Sequence, residues 1–207
     1  MLLVHVEELD EAGVEEIVIV AQKTDLENIE RLFLNELSPQ NFALLNDHQK
    51  AYSRNLRRLG SKVVVVVQAI QDGMGHAVAC AAQAMGEGDD PFLLVIAHHL
   101  NKSNTEVSCS RQVSEAYERL GRPIVGLRRT GAELVEKLGV VSGVMLDDSN
   151  TSLRVVTLVE KPTADYARKF LHTPSQDNDT FLTCFGIYAL TPKVFAFLDS
   201  MLENNLR

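Results

Sequence analysis

Residues 62–78, KVVVVVQAIQDGMGHAV, contain the pattern that decides the fold. The five valines from Val63 to Val67 predict a strand covered on both faces, as in the middle of a parallel sheet. A glycine-containing loop over Ala69–Gly75 follows, and small residues over His76–Met85 predict a helix. Strand, loop and helix in this order form the repeating unit of α/β sheets, whose ligands bind at the loops that follow the strands.

Short apolar runs that predict further strands alternate with helical segments along the whole chain. These strands are Glu16–Val20, Pro91–Ala97, Ile124–Arg128, Val140–Leu146, Leu153–Glu160 and Thr180–Ala189. Only the polar turn Asp147–Thr151 separates the fourth and fifth of them, which predicts an antiparallel pair in an otherwise parallel sheet. The alternation is typical of an α/β domain.

The composition excludes several classes of protein. Of the 207 residues, 45% are hydrophobic and 23% charged, which is the balance of a globular chain rather than a disordered one. The longest apolar runs are far shorter than the roughly 20 residues of a membrane helix, so no membrane partner is expected. A net charge of −8 without a cluster of Lys and Arg predicts no nucleic-acid partner.

The three cysteines, Cys80, Cys109 and Cys184, match the spacing of neither a zinc site nor a disulfide framework. We expect them to be small buried side chains. Their use predicts a reducing, cytoplasmic compartment.

The loop after the valine strand contains Gly73 and Gly75. The exposed N–H groups of the following helix favour a phosphate or a polar base, and glycine lets the backbone approach a planar ring. Val78 stands where a dinucleotide-binding loop has its third glycine, and the lysine of a P-loop is absent. The residues alone leave two interpretations open, a ligand loop or a plain turn.

Two adjacent histidines, His98 and His99, follow the strand Pro91–Ala97. Neighbouring side chains on a strand point to opposite faces, which predicts that the pair makes poor joint ligands for one metal ion. One histidine facing a ligand site and a merely polar strand end are the two interpretations.

Residues 159–162, Val-Glu-Lys-Pro, end another predicted strand. The carboxylate of Glu160 would accept hydrogen bonds from sugar hydroxyls, and the ammonium of Lys161 would neutralise a phosphate. The alternative is an exposed turn locked by Pro162.

Taken in order, these motifs resemble the bacterial-type UTP–glucose-1-phosphate uridylyltransferases, which are sugar-1-phosphate nucleotidyltransferases. The resemblance lies in Glu15–Val20, Gln68–Val78, Asp90–Leu94, Lys137–Val141, Val159–Pro162 and Gly186–Pro192. It implies a three-layer αβα Rossmann-like nucleotidyltransferase (glycosyltransferase-A-like) fold with a mixed, mostly parallel sheet. It also implies that residues 1–207 are the central portion of a nucleotidyltransferase domain.

The resemblance implies a reaction in which UTP and glucose 1-phosphate form UDP-glucose and pyrophosphate, with Mg²⁺ as the cofactor. Gln68 and the backbone of Gly73 would bind the uracil. Gly139 would pass close to the glucose, and Glu160 would hold its hydroxyls. Lys161 would contact the sugar phosphate and is the expected catalytic residue.

The sequence departs from the family in three respects. The family's N-terminal glycine-rich phosphate loop and its C-terminal part are missing, so we expect a chain truncated at both ends. His98 stands where the family has a metal-binding aspartate, and an imidazole is a poor ligand for Mg²⁺. The insert Ser38–Leu59 would form part of a lid or a contact in a homo-oligomer, and the sequence does not choose between these.

Two alternatives to the uridylyltransferase function follow. One is a degenerate, non-catalytic domain that binds UDP-sugars or regulates another protein. The other is a related nucleotidyltransferase that acts on another sugar phosphate, because Gln68 favours uracil without deciding the sugar.

Overall fold

A computed structural model describes residues 1–86, 88–146, 151–173, 177 and 179–203. The chain divides into two compact units. The first unit comprises residues 1–92 and the C-terminal segment from Leu190, and the second comprises residues 93–189. None of the helices in the described residues is both long and apolar enough to cross a membrane.

The first unit contains a parallel pair of strands and the helices around it. The strands are β1 (Ile17–Ala21) and β2 (Val63–Val67), and the helices are α1 (Leu2–Glu11), α2 (Leu26–Ile29), α3 (Pro39–Ala43), α4 (Asp47–Gly60), α5 (Gly73–Ala82) and α8 (Lys193–Glu203). Ile17 pairs with Val63 and Ala21 with Val67. The core of this unit is apolar, with Phe33 and Leu59 almost completely buried beside Val6.

The interpretation of β2 as a strand covered on both faces is wrong for the described residues. Val64 and Val67 each keep 39% of their surface exposed, while Val63 is buried. In the described residues β2 pairs with β1 alone. A run of valines fixes the extended backbone, but the burial of a strand depends on what packs against it.

The insert Ser38–Leu59 folds into α3 and most of α4. Asn46 and Gln49 form a capping box, in which each side chain accepts a hydrogen bond from the other residue's backbone N–H. An asparagine followed three residues later by a glutamine is the sequence pattern of such a helix start. Whether the insert is a lid or an oligomer contact stays a prediction.

An ionic cluster ties α1 to the end of α4. The guanidinium of Arg58 donates to both carboxylate oxygens of Asp10, at 2.7 and 2.6 Å, and Lys62 Nζ lies 2.9 Å from Asp10 Oδ1. These hydrogen bonds, with the two positive charges, hold the pKa of the Asp10 carboxyl well below its usual range. A bidentate pair of this kind fixes geometry as well as contributing energy.

The second unit is built around a long strand. Its strands are β3 (Phe92–Val95), β4 (Ile124–Gly131), β5 (Gly139–Met145), β6 (Leu153–Glu160) and β7 (Thr180–Leu190), and its helices are α6 (Cys109–Leu120) and α7 (Ala164–Phe170). The strands lie in the order β3-β7-β5-β6, and β4 also pairs with β7. Gly121 ends α6 in the left-handed conformation, which favours glycine.

The mixed α/β class is confirmed, and so is the antiparallel pair β5–β6. The expected predominance of parallel strands is not found among the described pairings of known register. The pairs β4–β7, β5–β6 and β5–β7 are antiparallel, and only β1–β2 is parallel. Two features account for the antiparallel pairs. β5 turns directly back into β6, and β7 lies between strands that precede it in the sequence. The predicted turn at 147–151 lies outside the described residues except for Thr151.

Candidate functional site

In the first unit, Gln68 reaches across the loop to the start of α5. Its backbone N–H donates to Ala21 O, which extends the strand pairing by one residue. Its side-chain Nε2 donates to Gly73 O at 3.2 Å and lies 3.1 Å from His76 Nδ1. The two residues predicted to bind the nucleobase, Gln68 and Gly73, are therefore in direct contact. Gly73 has a φ of 81°, a value that favours glycine.

In the second unit, the predicted sugar-binding residues face each other. Gly139 opens β5 and is paired with Glu160, the last residue of β6. A methyl group at Gly139 would lie 2.9 Å from Glu160 Oε2. The glycine, itself buried at the start of β5, thus leaves the space that the Glu160 carboxylate occupies.

Lys161 adopts a conformation that is unfavourable for its residue type. It is the one non-glycine residue with a positive φ, 49°, in the described part of the chain. Its backbone N–H donates to Leu138 O at 3.0 Å, which fixes it beside the start of β5. Its Nζ lies 3.7 Å from Glu160 Oε1, and both side chains are more than half exposed. Such outliers cost roughly 1–3 kcal/mol and concentrate at functional sites.

Two side chains that the sequence analysis did not assign complete this cluster. Cys184 Sγ would lie 3.6 Å from a methyl group at Gly139, and Tyr188 follows it on the same strand. Burial, and then the nearby charge of Glu160, raise the pKa of Cys184. Burial is also the main cause that raises the pKa of Tyr188 to about 12. The sequence signal that could have identified these two side chains was the alternation of Cys184, Gly186 and Tyr188 along one strand.

The histidine pair lies on a turn and not on a strand. β3 ends at Val95, and His99 N–H donates to Ile96 O at 3.0 Å, which closes a tight turn. The imidazole rings of His98 and His99 lie 4.3 Å apart between centroids at an interplanar angle of 76°. The expectation that the two side chains point to opposite faces is therefore wrong, because the pleat that alternates them has already ended.

The strand β7 connects the histidine turn to the sugar-binding cluster. Leu182 and Thr183 pair with β5, and further along β7 Gly186 O accepts from Ile96 N–H at 2.8 Å. The register of β7 against β4 shifts between Cys184 and Tyr188, and Gly186, which lies between them, has a φ of 88°. An irregularity of this kind re-aims the side chains and carbonyls around it and is common beside binding sites.

The side chain at the predicted metal position does not offer Mg²⁺ the oxygen ligand that it prefers. No cluster of three or more His, Cys, Asp or Glu side chains placed to hold a metal ion occurs within the described ranges. His98, at the predicted metal position, supplies a nitrogen atom, whereas Mg²⁺ takes oxygen ligands in octahedral geometry. No catalytic step is therefore assigned to Mg²⁺.

Comparison with known proteins gives consistent results. The family model described as "Nucleotidyl transferase" matches residues 1–207. A UTP–glucose-1-phosphate uridylyltransferase of Staphylococcus epidermidis is 29% identical over 205 residues, which are 96% of this chain and 63% of the relative. One of Pseudomonas aeruginosa is 30% identical over 197 residues, 94% of this chain and 64% of the relative. The chain thus spans less than two thirds of these relatives.

Solved structures confirm the fold. A crystal structure of an apo UDP-glucose pyrophosphorylase matches with a TM-score of 0.77 at 26% identity, covering 95% of this chain and 66% of that one. A UDP-glucose pyrophosphorylase complexed with UDP-glucose matches with a TM-score of 0.72 at 27% identity, covering 94% of this chain and 65% of that one.

Proposed function

We propose that this chain, which belongs to the nucleotidyl transferase family, carries the nucleotide- and sugar-binding portions of a uridylyltransferase that makes UDP-glucose from UTP and glucose 1-phosphate. The observation that carries the proposal is the arrangement of Gly139, Glu160 and Lys161. These residues bring a position without a side chain, a carboxylate and an ammonium together at the end of one strand pair. The relatives named for this reaction support it.

Gln68 is suited to read a uracil ring. Its two amide N–H groups are directed at Gly73 O and His76 Nδ1, so Oε1 is left as an acceptor for the N3–H of uracil. The same contacts hold the side chain in one orientation before any ligand arrives, which lowers the entropic cost of binding.

Glu160 and Lys161 bind different parts of the sugar phosphate. The Glu160 carboxylate accepts hydrogen bonds from glucose hydroxyls over the bare backbone of Gly139. Lys161, held by its N–H bond to Leu138 O, directs its ammonium toward the phosphate. A point charge on a flexible stem is a common partner for a phosphate.

The reaction requires mainly that the protein position its two substrates. A phosphate oxygen of glucose 1-phosphate attacks the α-phosphorus of UTP, the bond from that phosphorus to the bridging oxygen breaks, and pyrophosphate leaves with the bonding electrons. Lys161 stabilises charge on the attacking phosphate and keeps it in line. No covalent intermediate with the protein is required.

A second function, binding of UDP-glucose without turnover, is favoured by the imidazoles at the predicted metal position. Pyrophosphate release from UTP and glucose 1-phosphate separates the two functions. Turnover supports the transferase, and binding without turnover supports the binding module.

Calorimetric titration of the whole chain with UDP-glucose and with UDP tests the assignment common to both. We expect Glu160→Ala to weaken UDP-glucose binding about tenfold, the loss of a charged hydrogen bond, while UDP binding is unchanged. Glu27→Ala, at an exposed carboxylate in α2, is the matched control. Equal loss for both ligands, or no loss, contradicts the sugar-binding role.

A further inference from the structure

We propose that the first unit contains a binding site for a small amphipathic anion, a carboxylate with an apolar tail such as decanoate. The site is the cavity between the helical turn Glu30–Leu34 and α4, which we call the α4 cavity. All of its lining residues lie between Arg31 and Arg57, so the site belongs to the first unit alone. The inference does not depend on the proposed function, which gives this cavity no role.

The α4 cavity has the size and the apolar lining of a small-molecule site. Its volume is about 540 Å³, within the range of about 300–1,000 Å³ that ligand pockets occupy. The apolar part of its lining comprises Leu32, Leu37, Leu45, Tyr52 and Leu56. Leu37 and Tyr52 keep 46% and 47% of their surface exposed. An apolar tail in the cavity would remove this surface from water, which is favourable.

The charge of the α4 cavity selects an anion. Arg31, His48 and Arg57 line it, and none of its described lining residues is Asp or Glu. Among the described residues, neither Arg31 nor Arg57 has a carboxylate partner. This local excess of positive charge occurs in a chain whose net charge is −8. The guanidinium fork matches the geometry of a carboxylate, so the expected head group is a carboxylate.

Arg57 has a buried donor that no acceptor satisfies. Its Nη1 donates to Phe33 O at 3.3 Å, which holds the guanidinium against the turn Glu30–Leu34. Its Nε is buried and has no hydrogen-bond partner within the described part of the chain. Buried donors are almost always paired, and an unpaired one is costly. A carboxylate that enters the cavity and accepts from Nε would supply the missing partner.

The wall of the α4 cavity is formed before any ligand binds. Glu30–Leu34 is a π-helical turn, closed by a 2.8 Å hydrogen bond from Asn35 N–H to Glu30 O. Such turns are rare and are frequent at functional sites. A methyl group at Gly60 would overlap Phe33 O, so the end of α4 packs directly against the backbone of this turn. A preformed wall lowers the entropic cost of binding.

Titration of the whole chain with decanoate, below its micelle-forming concentration, tests the proposal by calorimetry and by NMR of the backbone amides. We expect one decanoate per chain, with chemical-shift changes centred on residues 31–57. Octanoate and then hexanoate should bind more weakly, by about tenfold for each pair of methylene groups removed. Octanol, which has the tail without the charge, should bind about tenfold more weakly than octanoate.

Two pairs of variants localise the site. Leu37→Asp places a carboxylate in the lining and should weaken decanoate binding about tenfold or more. Leu44→Asp is its matched control, because Leu44 is 85% exposed and does not line the cavity. Arg31→Gln removes one positive charge and should weaken decanoate binding about tenfold. Its control is Arg54→Gln, at an exposed arginine of α4 outside the lining.

Three results would overturn the proposal. One is undiminished decanoate affinity in Leu37→Asp, or shift changes that lie outside residues 31–57. Another is equal affinity for octanoate and octanol, which would show an apolar groove without preference for an anion. The third is a set of shift changes at 31–57 that depends on protein concentration without decanoate, which would identify a second copy of this chain as the occupant.

UDP-glucose titrated into the same samples keeps this inference separate from the proposed function. Decanoate binding at 31–57 without binding of UDP-glucose supports the anion site and contradicts the proposed function. Binding of UDP-glucose without decanoate binding does the reverse.

Discussion

Gly139 and Glu160 are partners across the β5–β6 pair, and the side chain that Gly139 lacks would occupy the space of the Glu160 carboxylate, 2.9 Å from Oε2. The size of the side chain at position 139 therefore decides where the Glu160 carboxylate lies. Because Glu160 ends its strand, the displaced carboxylate has room to move outward rather than to strain the sheet.

The first prediction follows from that pair. Gly139→Ala pushes the Glu160 carboxylate aside, and we expect it to weaken UDP-glucose binding about tenfold, on the scale of one charged hydrogen bond. Isothermal titration calorimetry measures the change. Gly88→Ala is the control, since a methyl group at Gly88 would meet nothing within 4 Å. Equal affinities of the two variants would remove Gly139 from the site.

The second prediction concerns the charge of Lys161. Lys161→Ala is expected to weaken UDP-glucose binding by about 1–3 kcal/mol, as for a lost hydrogen bond to a charged group. Lys193→Ala, at an exposed lysine at the start of α8, should have no effect. An unchanged affinity in Lys161→Ala would exclude Lys161 from contact with the ligand.

The third prediction concerns the backbone of the same residue. Glycine adopts a φ of 49° without the cost that a side chain brings, so Lys161→Gly should be more stable than Lys161→Ala by about 1 kcal/mol. Both variants lack the ammonium and should bind UDP-glucose equally weakly. Chemical denaturation compares the stabilities, and a less stable glycine variant would show that the positive φ carries no strain.

The fourth prediction is a pH dependence of stability. The pKa of Asp10 is lowered in the folded chain by Arg58 and Lys62. A lowered folded-state pKa stabilises the fold above the unfolded value, near 4, and this contribution is lost as the pH falls further toward the folded pKa. Asp10→Asn should therefore cost about 1–2 kcal/mol at pH 7 and much less near pH 2.

Urea denaturation of Asp10→Asn and of the unmodified chain at both pH values measures this difference. Asp25→Asn, at an exposed carboxylate, is the control for a general effect of charge. A difference in stability that stays constant between pH 7 and pH 2 would contradict the role of the Asp10 charge.

The fifth prediction tests the electrostatic effect of Glu160 on Cys184. Burial and the Glu160 charge raise the pKa of the thiol, so less thiolate is present and alkylation by iodoacetamide at pH 8 should be slow. Glu160→Gln removes the charge and should accelerate modification of Cys184 severalfold, as followed by mass spectrometry. The rate at Cys109, on α6, should stay the same in both proteins and serves as the internal control.

Much of the fold was predictable because it depends on local pattern. The β5–β6 pair lies where the sequence predicts it. The exposure of β2 was not predictable, because a run of valines does not indicate which elements cover the strand. The mixed sheet was predictable, but which strands pair was not, because pairing partners are set by the whole topology.

The candidate site was predictable to a similar degree. The contact between Gln68 and Gly73 and the pairing of Gly139 with Glu160 bring together residues that the motifs had grouped. The histidine pair was misjudged because its geometry depends on one strand ending at Val95 rather than at Ala97. The three cysteines were expected to be buried, and each is only partly buried. The charge of Glu160 near Cys184 was not predictable, since Glu160 comes from another part of the chain.

The position of β7 has a consequence for how the second unit opens. Three neighbouring strands, β3, β4 and β5, are hydrogen-bonded to this one strand. Its amide protons should therefore exchange with solvent only when the unit unfolds as a whole, and not by local fraying. The histidine turn and the sugar-binding cluster then form and disappear together, as one cooperative element in a hydrogen-exchange experiment.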